Sequence, residues 1–137
     1  MTDAFFDRES WQKMLETERI FENLERGTAI GLLRQEKFDS PNSTMMVWEQ
    51  GAGGMTVTYR PFSGFSDAGV DILFMLREEA VKSMLTKDNG QPLSVMREQI
   101  RHGQILFYAL KSRDDLFEQG LEDLIDAIGV PFLGPCR

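Results

Sequence analysis

The chain has 137 residues, 42% of them apolar and 27% charged. That is the size and balance of one folded domain spanning residues 1–137, and it excludes both a disordered tail and a disulfide scaffold. The formal net charge is −7 and the basic residues are dispersed, so nucleic-acid binding has no positive stripe to rest on. No stretch approaches the ~20 apolar residues of a membrane span, and "MTDAFFDRES" lacks the basic segment and apolar run of a secretory signal. A cytoplasmic protein with no stable membrane anchor is expected. Cys136 is the sole cysteine and His102 the sole histidine, which leaves almost no material for a metal site or a Cys/His pair. No cofactor is expected.

Residues 8–37 read first as a helical segment. Trp11, Met14, Leu15, Phe21 and Leu24 recur at three- and four-residue steps among polar positions, and Gly27 supplies a stop. "TAIGLLRQEKF" then reads as a second short helix, although Thr28, Ile30 and Leu32 equally alternate as a strand. "DSPNS" (39–43) is a loop by composition. "TMMVWEQ" and "MTVTYRPF" flank "GAGG" (51–54) as a β-hairpin, with Met55, Val57 and Tyr59 alternating against Thr56, Thr58 and Arg60. Pro61 ends that strand or places it at a sheet edge.

The run Val70–Leu76 is apolar apart from Asp71 and predicts a central strand covered on both sides, with Val70, Ile72 and Phe74 on one face and Leu73 and Met75 on the other. A helix over 77–87 follows, with Ala80, Val81, Met84 and Leu85 inward. "DNG" (88–90) breaks it, and Pro92 fits the first turn of the next helix, whose inner face carries Leu93, Met96 and Ile100. Gly103 releases the chain into the strand "QILFYAL". Ser112, with Asp115 three positions on, starts a last helix in the manner of a capping box, with Phe117, Leu121, Leu124, Ile125 and Ile128 as its stripe. The order predicts an α+β fold.

The features that could carry chemistry have plainer explanations. "GAGG" lacks the Lys and Ser/Thr of a phosphate loop and precedes a strand, so it is a turn. Glu78-Glu79 and Asp114-Asp115 fall in helix first turns, where the dipole favours negative charge, and Glu122-Asp123 sits between apolar stripe positions. His102 precedes a terminating glycine, so its reading is a helix cap. Eight methionines and ten phenylalanines suit either an ordinary core or a surface that accepts variable apolar shapes. Gly120 interrupts the last helix, where alanine would be more stable by about 1 kcal/mol. It leaves either close packing or space for a ligand.

In order, length and glycine placement the chain resembles the sterol carrier protein type 2 superfamily. "TMMVWEQGAGGMTVTYR" is similar to that family's glycine-turn hairpin, and "VDILFMLREEAVKSMLTKDNG" to its apolar strand and following helix. "PLSVMREQIRHGQILFYALKSRDDLFEQGLEDLIDAIG" is similar to its helix, glycine-led strand and last helix. The resemblance implies a curved, mainly antiparallel sheet of about four to five strands covered by helices, enclosing an apolar tunnel for a sterol, fatty acid or acyl chain. The matching positions are Phe74, Met84, Met96, Ile100, Ile105, Phe107, Phe117, Gly120, Leu121 and Leu124. The chain departs from the pattern at Leu110-Lys111-Ser112, where a second glycine is usual, and in the short stretch between Tyr59 and Val70. The tail "VPFLGPCR" could close the cavity mouth with Phe132 and Leu133.

The expected function is non-catalytic binding or transfer of a hydrophobic small molecule or lipid. The alternative is an interaction or homodimerisation module with a filled cavity, using Phe5, Phe6, Trp11 and the tail as an apolar patch. With no nucleophile and base constellation, an enzyme ranks third.

Overall fold

The computed structural model describes residues 8–17, 19–22, 24–34, 43–62, 64, 69–86 and 92–129. The expectations for Phe5, Phe6, the loop at 39–42, the break at 88–90, the Leu85 side chain and the tail with Phe132, Leu133 and Cys136 lie outside these residues.

Helix α1 spans Arg8–Thr17 and a 3-10 turn spans Arg19–Phe21. The strands are β1 (Ala29–Arg34), β2 (Ser43–Gly51), β3 (Gly54–Phe62), β4 (Ile72–Leu76) and β5 (Ile105–Ala109). Helices α2 (Glu78–Thr86) and α3 (Pro92–Arg101) join β4 to β5, and α4 (Arg113–Glu118) and α5 (Glu122–Ala127) follow it. The five strands form one open sheet in the order β3-β2-β1-β4-β5. Only the β1–β4 pair is parallel, so the fold is α+β with a mainly antiparallel sheet, as the order of elements predicts.

The largest correction concerns Thr28–Arg34, which is a strand and not a second helix. Ile30 and Leu32 face one side of the sheet and Ala29 and Leu33 the other, and all four are buried. A strand covered on both faces shows no polar alternation, which is why periodicity alone leaves it open. Gly31 sits where the sheet is tightest. A Cβ there would lie 2.6 Å from Met45 Sδ, 3.0 Å from Leu73 Cδ1 and 3.2 Å from Val70 Cγ2. The N-terminal helix accordingly stops at Thr17 and does not run on toward residue 37.

The hairpin, the glycine turn and the central β4 stand where the sequence places them. Gly51 pairs with Gly54 across the turn, and Gly54 takes φ +117°, a conformation that costs glycine nothing. β3, which contains Pro61, is an edge strand. Every residue of β4 is buried. Val70 is displaced from its expected face: it packs with Leu73, Ala29 and Leu33, whereas Ile72 and Phe74 belong to the opposite cluster. The chain bends at Asp71, and the two-residue alternation begins only after it.

The single last helix of the sequence reading is two helices. Gly120 at φ +88° receives a reversal in which its N–H donates to the Phe117 carbonyl (3.0 Å) and the Leu121 N–H donates to the Leu116 carbonyl (3.1 Å). This is the paired-bond Schellman termination, completed by the buried side chains of Leu116 and Leu121. The same pattern ends α3, where Gly103 N–H donates to Ile100 O and Gln104 N–H to Gln99 O, both within 3.1 Å. Gly120 is therefore explained by helix termination. Replacing it with alanine should cost about 1 to 3 kcal/mol in urea unfolding, the penalty for a side chain at positive φ. Ser112 caps α4 as expected, its Oγ accepting from Asp115 N–H at 3.2 Å.

One face of the sheet carries Ile30, Leu32, Met46, Trp48, Val57, Ile72, Phe74 and Ile105 in a cluster with buried side chains of the helices. The opposite face carries Ala29, Leu33, Met45, Val47, Phe62 and Leu73.

Candidate functional site

The candidate site is the apolar layer between the helices and the first face of the sheet. Antiparallel pairing sets Phe74 opposite Phe107, their rings 5.5 Å apart and tilted at 51°, an arrangement that favours aromatic pairs. Phe74 also pairs with Leu32 of β1, so the row across the sheet is Met46, Leu32, Phe74, Phe107. Its neighbour row is Trp48, Ile30, Ile72, Ala109.

Of the residues matched to tunnel-lining elements, Phe74, Met96, Ile105, Leu121 and Leu124 are buried in this layer, and Met84, Ile100, Phe107 and Phe117 are half-buried against it. They come from α2, α3, α4, α5, β4 and β5 and from the link before α5, and the fold brings them into one cluster. Gly120 stands apart in kind, because its place is the helix reversal already described.

Sequence reasoning missed the other end of the layer. There Trp48 packs against Trp11 at 5.6 Å and meets Phe21 edge-on at 6.0 Å. The run "TMMVWEQ" held the signal, since Met46 and Trp48 share a strand face, but the hairpin drew notice only for its turn. Gln50, two residues on, donates from Nε2 to the carbonyls of Phe21 (3.2 Å) and Leu24 (3.1 Å). Gln119 closes the same corner, its Nε2 donating to Thr28 Oγ1 at 3.3 Å and its carbonyl accepting from Glu25 N–H at 2.9 Å.

The charged groups play structural parts. Asp71 is almost wholly buried and accepts from Ala29 N–H at 2.8 Å through Oδ2, while Oδ1 meets Lys111 Nζ at 2.6 Å. Its backbone N–H donates to Ala29 O and its carbonyl accepts from Leu110 N–H, so one residue ties the entry of β4 to both flanking strands. The hydrogen bond to Asp71 raises the Lys111 ammonium above the ordinary lysine value; partial burial opposes this, and the charges of Asp71, Asp115 and Glu25 add to it. Glu78 receives both its contacts from Arg34 Nη2, at 2.7 and 2.8 Å. The acidic pairs at 78–79, 114–115 and 122–123 are all exposed in helix first turns, and His102 is exposed beside Gly103. Among the described residues no group of three His, Cys, Asp or Glu side chains is placed to hold a metal ion. No helix among them is long and apolar enough to cross a membrane.

No family model and no curated protein matches the chain. Two solved structures are similar to it in fold. A ubiquinone synthesis protein described as UbiJ-SCP2 superposes with TM-score 0.44 at 13% identity, over 88% of this chain and 90% of that one. A conserved hypothetical protein from Thermus thermophilus, described as possibly a sterol carrier protein, superposes with TM-score 0.45 at 16% identity, over 93% and 85%. Both descriptions name the fold family that the sequence resembles. At this degree of similarity, function has to be argued from the chain's own residues.

Proposed function

We propose that the protein binds or transfers a hydrophobic small molecule, such as a sterol, fatty acid or acyl chain, without catalysing a reaction on it. The observation that carries the reading is the convergence of side chains from α2, α3, α4, α5, β4 and β5 on one apolar layer with a half-buried rim at Met84, Ile100, Phe107 and Phe117. Such a layer gives affinity in proportion to the ligand area it removes from water, about 25 cal/mol per Å², with little chemical discrimination. Met84, Met96 and Met46 supply flexible side chains that can yield to a guest.

The test is native against denaturing mass spectrometry of the purified protein, with extraction of any released molecule, followed by titration with a fluorescent fatty acid. Saturable uptake is expected, and its absence in both experiments overturns the reading. Phe107→Asp places a charge on the half-buried rim and should weaken uptake at least about tenfold, since a carboxylate facing an apolar guest goes unpaired. Its thermal midpoint should stay near that of the parent. Unchanged uptake in a folded variant removes Phe107 from the site. Leu121 is unsuitable for the same experiment because it is wholly buried and completes the reversal after α4.

A second reading, an interaction module with a filled interior, draws on the complete burial of Phe74, Met96 and Leu121. Concentration-dependent sedimentation without ligand uptake would favour it.

A further inference from the structure

Three buried polar atoms at the Trp48 end of the apolar layer have no hydrogen-bond partner in the chain: Trp48 Nε1, Gln50 Oε1 and Gln119 Oε1. Trp48 is 0% exposed. Leaving a buried indole donor unpaired is costly, and native proteins satisfy such groups as a rule. Which end of the Gln50 amide is oxygen follows from its contacts: the two carbonyls of Phe21 and Leu24 can receive only the NH₂. The corner therefore offers one donor and two acceptors, and Phe21 adjoins both Trp48 and Gln50. The side chains that build it, Trp11, Phe21, Trp48, Gln50, Gln119 and Thr28, are all uncharged.

We infer that this corner anchors the head of the bound molecule, and that the head is a neutral hydroxyl: its oxygen accepts from the Trp48 indole N–H while its O–H donates to Gln50 Oε1. The inference rests on the proposed hydrophobic-ligand function and assigns the chemical class of the ligand, a long-chain alcohol. A hydroxyl has one donor and two lone pairs, matching what the corner lacks. A carboxylate has no donor for the glutamine oxygens and would bury an unpaired charge. The distance also fits. From β2, which carries Trp48, to β5, which carries the rim residue Phe107, is three strand spacings, about 14 Å, comparable to an extended alkyl chain of medium length lying across the sheet.

The experiment uses n-decanol, decanoate and n-decyl chloride, which has the same chain but no O–H, with the full-length protein at neutral pH. Binding is followed by the indole N–H resonances of the two tryptophans. The expected result is saturable n-decanol binding, roughly threefold to tenfold tighter than n-decyl chloride, the value of one neutral hydrogen bond. The Trp48 indole proton should move downfield with the alcohol and stay in place with the chloride. Trp48→Phe should bring the alcohol to the level of the chloride and leave the chloride unchanged. Equal affinities for alcohol and chloride in the parent protein, or tighter binding of decanoate, overturn the hydroxyl anchor and leave the hydrophobic-ligand function standing. So does a long-lived water that keeps its contact with the Trp48 indole proton throughout the titration. Absence of saturable binding by all three probes overturns both. If Trp48→Phe does not fold, the parent's alcohol-to-chloride ratio and indole shift decide alone.

Discussion

Asp71→Ala should unfold at a markedly lower urea concentration than the parent, with a loss of about 3 kcal/mol. The carboxylate is 5% exposed and is held by the Ala29 N–H and by Lys111. Removing it orphans a buried backbone donor, worth about 1 to 3 kcal/mol, and ends a charge pairing whose lysine stays solvated. Lys111→Met should cost less than Asp71→Ala, because the Ala29 N–H still accompanies the buried charge and the 47% exposed lysine side chain made a partly screened pair. The pH dependence separates the two partners. The folded-state value of Lys111 is raised above its ordinary one, so its contribution is complete below about 10.4 and is lost as pH rises through the raised value. Urea midpoints measured from neutral to strongly alkaline pH should show an alkaline loss in the parent that Lys111→Met reduces. An equal loss in both would place the titrating group elsewhere.

Gly31→Val should be the most damaging single substitution in the sheet that leaves every apolar side chain in place. Even the first added carbon meets Met45, Leu73 and Val70 at 2.6 to 3.2 Å, in a strand bonded on both sides. Overpacking of this kind costs about 1 to 3 kcal/mol for modest insertions and more when the backbone must shift. Gly31→Ala isolates the steric part, since β1 is extended at this position and alanine adopts that backbone freely. Combined with Met45→Ala, which removes the nearest obstructing atom, Gly31→Ala should lose less stability than the sum of the two single changes. A strictly additive cycle would show that Met45 does not oppose the new side chain.

These two positions also show what could be read in the residues and what could not. β4, α2, α3 and β5 were legible because each carries its own punctuation: an apolar run, an acidic first turn, a proline, a glycine. β1 was not, because a strand with partners on both edges and side chains buried on both faces gives up the alternation that identifies a strand. Asp71 was visible as the one charge in an apolar run, yet its meaning depends on Ala29 and Lys111, both some forty residues away. Gly120 was noticed for the right reason, the cost of a glycine inside a helix. Its role appears only when Leu121 is seen bonding back to Leu116. The apolar side chains of the candidate site were picked out by their matching elements, whereas Trp48, Gln50 and Gln119 meet only through tertiary contacts.

Gln12 leaves a consequence of a different kind. Its side chain donates to the Met55 carbonyl and accepts from the Val57 N–H, both at 2.9 Å, reproducing with one amide the pair of bonds that a neighbouring strand would make to β3. Nine-residue β3 lies at the margin of the sheet, where an unoccupied backbone invites another molecule to add on. By mimicking that visitor, α1 occupies part of its landing place. A change that loosens the helix then acts first on how molecules behave toward one another in concentrated solution, before any effect on the ordering of the interior.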